Sequence, residues 1–212
     1  MKKILLSILL SLFLNLAIPA QDEIKISLKN SSKAEQQTKE QLQRLLKTYD
    51  LSKWIFTKSI IIDEKEAIPH SHPALRLSTR HLKDDELLIS TFIHEQAHWF
   101  VSEDQNRQAA AVKDFKEMFP KVPVGFPEGA RDESSTYIHI SVIYLEYRAI
   151  RELLGELKAK QIMDFWATDH YTWIYKTVRD RPRDIGNIMF KHKMIPTVRT
   201  GQTEQKETKS DE

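Results

Sequence analysis

The stretch from Leu87 to Val101 constrains this chain more than any other, because its pattern is helical and it carries His94-Glu95-Gln96-Ala97-His98. Leu87, Leu88, Phe92, Ile93, Ala97 and Val101 recur at helical spacing. Asp84 can cap the helix, and Asp85 and Glu86 suit the positive end of its dipole. With about 3.6 residues per turn, His94 and His98 stand one above the other, so both imidazoles can reach one ion. Glu95 is rotated about 100° from His94 and lies beside such an ion, where it can take a proton from a water that the ion activates. With 8 histidines in 212 residues, composition alone gives about 0.02 matches to this pattern. The signal is therefore specific.

The length points to one domain, and 41% hydrophobic with 29% charged residues suits a globule with a sizeable core. Five glycines are too few for a β-rich chain of many tight turns. The lack of cysteine excludes disulfides, thiolate zinc sites and a cysteine nucleophile. Lys2 and Lys3 precede an apolar run from Ile4 to Ile18, and Pro19-Ala20 leads into Gln21-Asp22-Glu23. This is the pattern of a secretory signal peptide over residues 1–20, cut after Ala20. The run is short beside the ~20 residues of a membrane span. A secreted or periplasmic protein with no stable span after cleavage is expected. Lys2 and Lys3 also account for the whole formal charge of +2, so no basic field points to nucleic acid.

Residues 21–32 read as a polar lead-in, 33–198 as the folded domain, and 199–212 as a polar tail expected to be disordered. Helices are expected over 33–49, 85–101, 108–118, 134–154, 156–168, 170–178 and 184–193. Trp54 to Ile62 reads as a buried strand and Ala74 to Thr79 as a second, exposed one, with Pro69 and Pro73 breaking any helix between them. The predicted fold is mostly α with a small β-sheet before the central helix.

A catalytic zinc needs three protein ligands and an open position. The long helix over 134–154 and its start offer His139, Glu146 and Glu133 as the third. His139 and Glu146, seven residues apart, share one face at a separation of roughly 10 Å along the axis. Both cannot easily bind one ion, so one becomes the ligand and the other a supporting contact. If His139 binds, Glu146 can accept the far N–H of His94 or His98. If Glu146 binds, His139 can steady an oxyanion. Glu133, at the helix start, suits the dipole there. The reading takes His139, with Glu146 and Glu133 as alternatives.

The motif on its helix resembles the zincin metallopeptidases, in a gluzincin-like or HExxH…H variant with a bacterial-type signal peptide. The resemblance covers the motif and the element order over about residues 57–155. It implies His94 and His98 as zinc ligands, Glu95 as catalytic base, and an exposed edge strand within 57–79 that aligns peptide substrates. The longer metzincin pattern is absent, since Phe100-Val101-Ser102 follows His98-Trp99. The expectation is an exported zinc-dependent hydrolase, a metallopeptidase with one Zn²⁺ per chain and a peptide or protein substrate. The alternative is a non-catalytic envelope protein in which the metal staples two helices.

Other residues carry weaker signals. His170, Tyr171 and Tyr175 fall on one predicted helix turn, where His170 or Tyr171 can contact a transition state; a core aromatic cluster with Phe165, Trp166 and Trp173 is the plainer reading. His70 and His72 read as exposed loop histidines near the site. His81 and His192 have polar neighbours and receive no role, and Arg179, Arg181 and Arg183 read as a solvated face.

Overall fold

The computed structural model describes residues 24–197. The signal peptide expected over 1–20 and the tail expected over 199–212 lie outside the described residues. The fold is mostly α with a small sheet. Three strands, β1 (Lys25–Leu28), β2 (Ser59–Ile62) and β3 (Leu75–Leu77), pair in the order β1-β2-β3, both pairs parallel. Among the described residues seven helices accompany them: α1 (Lys33–Thr48), α2 (Asp85–Ser102), α3 (Gln105–Met118), α4 (Glu133–Leu154), α5 (Glu156–Trp166), α6 (Thr172–Asp180) and α7 (Pro182–Lys191). Among the described residues no helix is long and apolar enough to cross a membrane.

Caps set the helix boundaries where the sequence offers short acceptors. Ser32 and Glu35 form a capping box at α1, and Asp84 accepts from Leu87 N at the start of α2. Asp104 accepts from Asn106 N and Arg107 N, which starts α3 a turn earlier than its apolar residues suggest. Asp132 accepts from Ser135 N and opens α4. The sheet departs further from expectation. The polar lead-in contains β1, whose four residues KISL are too short to show a period, yet Ile26 is buried once β2 pairs with it. Only Ser59–Ile62 of the stretch 54–62 is strand, preceded by a 3-10 turn at Ser52–Trp54.

The second strand is a correction. Leu75 and Leu77 are fully buried rather than exposed, and the outward backbone groups of Arg76 are already taken. Arg76 N donates to His70 O at 2.8 Å, and His70 N donates to Arg76 O at 3.2 Å. The chain between β2 and β3 thus folds back over the edge that was expected to lie open.

α2 runs through the middle of the core, with every residue from Leu88 to Ala97 buried. Its polar members therefore need partners. Gln96 finds them in the segment leading to β2: Oε1 accepts from Phe56 N (2.7 Å) and Thr57 N (2.9 Å), and Nε2 donates to Thr57 O (2.8 Å). The helix bearing the histidines is thereby fixed to the sheet side by a residue inside the motif. α4 packs along α2. Ser90 and His94 meet Glu146, while His98 meets His139, so numbers rise along α2 as they fall along α4 and the helices are antiparallel.

Candidate metal centre

This crossing brings His94, His98 and His139 together. One ring nitrogen from each lies within 4.8 Å of the other two. The ring centroids are 5.1 Å apart for His94 and His98, 4.9 Å for His98 and His139, and 5.8 Å for His94 and His139. Nitrogens on a tetrahedral zinc sit about 3.4 Å apart, from bonds of about 2.05 Å, so small ring rotations would close the cluster. Donor type fits as well as spacing, since imidazole suits zinc.

Hydrogen bonds on the far side orient two of the three rings. His94 Nδ1 donates to Glu146 Oε2 at 2.8 Å, and His139 Nδ1 donates to Ser135 O at 2.7 Å. Each bond leaves the Nε2 lone pair free to bind an ion. Glu146 is fully buried and also accepts from Tyr175 OH at 2.9 Å and from Ser90 Oγ, which in turn accepts from Trp166 Nε1 at 3.0 Å. Three donors thus hold both oxygens of the Glu146 carboxylate in its support role. Glu133 lies far from this arrangement in character, 60% exposed and 3.6 Å from Lys116.

The electrostatics follow from burial. Burial pushes His139 down to about 4, helped by the neighbouring charge of His94, and holds His98 well below its ordinary value for the same reasons. Both rings stay neutral, as ligands must be. Burial would lower His94 too, but the bond to Glu146 and the fields of Glu146 and Glu95 reverse the sign and raise it. Glu95 is pushed up to about 7 by burial; His94 opposes this and Glu146 adds to it. A carboxyl held there accepts and releases a proton near neutrality.

The cluster opens into a cavity of about 670 Å³, a size that suits a small ligand or a short piece of a larger one. Tyr171 stands in its wall, its ring 4.4 Å from that of His139. The predicted helix over 170–178 starts later than expected: His170 and Tyr171 precede α6, and Tyr171 caps it with φ 49°, in the left-handed region. An aromatic residue rarely adopts that conformation, and here it turns the ring toward the histidines. His170 donates from Nδ1 to Asp169 Oδ2 at 2.7 Å, and Asp169 is gripped by Arg80. Tyr175 belongs to the buried network around Glu146, stacked on Trp166.

Several wall residues were not singled out from the sequence. His81, read as a surface residue, is 7% exposed and packs edge-on against Trp166. Away from the cavity, His192, also read as surface, is half-buried against Asp114 at 2.7 Å. Thr91 Oγ1 is buried in the cavity wall without a hydrogen-bond partner among the described residues. His72 lies at the surface, stacked on Trp99 at 4.2 Å, whereas His70 is half-buried and lines the cavity. Comparison with protein-family models, curated proteins and solved structures finds no match.

Proposed function

We propose that this chain is a zinc-dependent hydrolase, a metallopeptidase, exported through the signal peptide read over residues 1–20. The observation that carries the reading is the three-histidine cluster on a cavity with Glu95 beside it: three protein ligands leave a fourth position open for chemistry. When bound, zinc would acidify a water and polarise a carbonyl. His94, His98 and His139 would hold the ion, and Glu146 and the Ser135 carbonyl keep two of those rings in the binding tautomer. Glu95 takes the proton from the attacking water and delivers it to the leaving amine. Tyr171, whose ring lies 4.4 Å from that of His139, donates a hydrogen bond to the oxyanion.

A metal staple between α2 and α4 is the competing reading, and such a site would be closed by a fourth protein ligand. Glu95→Gln separates the two. The purified protein should contain one zinc per chain, lost in His98→Ala. Glu95→Gln should keep the zinc and lose peptide hydrolysis by about 10²-fold or more. Full activity in Glu95→Gln, or folded wild type that binds no zinc, would overturn the enzyme reading.

A further inference from the structure

Six large apolar side chains among the described residues are exposed, Leu157 and Phe190 among them, but only two of the six line the cavity. Phe126 is 82% exposed and Ile68 is 73% exposed. Both line the cavity that holds the histidine cluster, from different parts of the chain. Phe126 belongs to the loop between α3 and α4, and Ile68 to the strap that folds back over β3.

Neither side chain is exposed through slack in its backbone. In the loop, Gly125 N donates to Ala130 O at 2.7 Å and Gly129 N to Gly125 O at 2.9 Å. Pro127 O and Glu128 O accept from Thr172 N and Trp173 N, which ties the loop to the start of α6 beside Tyr171. The strap is held by the His70–Arg76 pair and by Trp99 Nε1, which donates to Ser71 O at 2.9 Å. Two anchored segments therefore display bulky apolar groups at one opening. Of the two arginines at that opening, Arg80 is paired with Asp169, while Arg131 is 89% exposed and keeps one contact, to Asp132 at 3.2 Å. The rim thus offers a ligand two exposed apolar groups beside one exposed guanidinium.

We propose that Ile68 and Phe126 form an apolar clamp at the cavity mouth that selects substrates with a bulky aliphatic or aromatic side chain beside the bond to be cut. This rests on the metallopeptidase reading. A bulky apolar side chain that enters this opening covers rim surface that a small one leaves bare, and it needs no charge of its own. A lipid surface is the less favoured occupant, because the two residues flank an opening instead of forming a continuous face.

The test uses zinc-loaded protein and three probes: acetohydroxamate, which reads the ion alone, and the hydroxamates of N-acetylglycine and N-acetylleucine. Wild type should bind the leucine compound at least about tenfold more tightly than the glycine compound. In the double variant Ile68→Ser, Phe126→Ser that ratio should fall to about twofold or less, with acetohydroxamate affinity and zinc content unchanged. Both positions are exposed, so the fold has little to lose. A ratio near one in wild type, or an unaltered ratio in the variant, overturns the clamp. Loss of co-sedimentation with phosphatidylglycerol vesicles at an unaltered ratio overturns it in favour of a lipid face. Failure of acetohydroxamate to bind wild type sinks the metal reading itself, and the clamp with it.

Discussion

Glu146 Oε2 accepts the Nδ1–H of His94 at 2.8 Å from a position with no solvent exposure. That one bond decides which nitrogen of His94 faces the cluster, and it links the core of α4 to the motif on α2.

Glu146→Gln should therefore weaken zinc binding while leaving all three histidines in place. A loss of about 10- to 100-fold in affinity is expected, read by competition with a chromophoric chelator. Tyr175→Phe removes one donor to the same carboxylate and should cost about 1.5–3 kcal/mol of stability, read by urea denaturation. Unchanged zinc affinity in Glu146→Gln would mean that the bond orients nothing of consequence.

Tyr171→Phe isolates the hydroxyl from the ring. If the hydroxyl meets the oxyanion, kcat should fall by about 10²-fold with KM and zinc content near wild type. A change confined to KM would make Tyr171 part of the cavity wall only.

Gly129→Ala should destabilise the loop beneath Phe126. A Cβ at this position would fall on the Pro123 carbonyl oxygen, and backbone cannot step aside as a flexible side chain does. A loss of about 1–3 kcal/mol is expected, measured as a lower urea midpoint. A neutral substitution would show that the loop can open at no cost.

His81 should make the fold acid-sensitive. Burial pushes its pKa down to about 4, with the charge of Arg80 adding to the effect. In the unfolded chain it takes up a proton near pH 6.5, as imidazole ordinarily does. Between about 6.5 and 4 the unfolded state holds the extra proton, so stability falls as pH falls, by at most about 1.4 kcal/mol per pH unit. Above pH 6.5 it contributes no slope. His81→Leu should flatten this part of the urea-midpoint profile; an identical slope in the variant would assign the effect elsewhere.

The motif helix and the long helix after it were readable because each is a sustained apolar period bounded by an aspartate cap. Helix phase also placed His139 and Glu146 on one face of α4. Which of them joins His94 and His98 depends on the register of the antiparallel crossing, and no local pattern encodes that. The same limit hid His81: its neighbours Thr79, Arg80 and Lys83 are polar, but Trp166, which packs against its ring, comes from far along the chain. Local patterning announced neither β1, which is four residues long, nor the left-handed turn that aims Tyr171.

The strap over β3 bears on how the molecule behaves in company. An unpaired strand edge is a template for other chains, and many proteins blunt it with charge or proline. Here Arg76 spends its outward N–H and C=O on His70 of the same chain, and Pro69 and Pro73 flank the contact. The sheet ends itself on this side. Another chain that meets this side finds the outward backbone groups of Arg76 already paired, which makes the edge a poorer template than a bare strand.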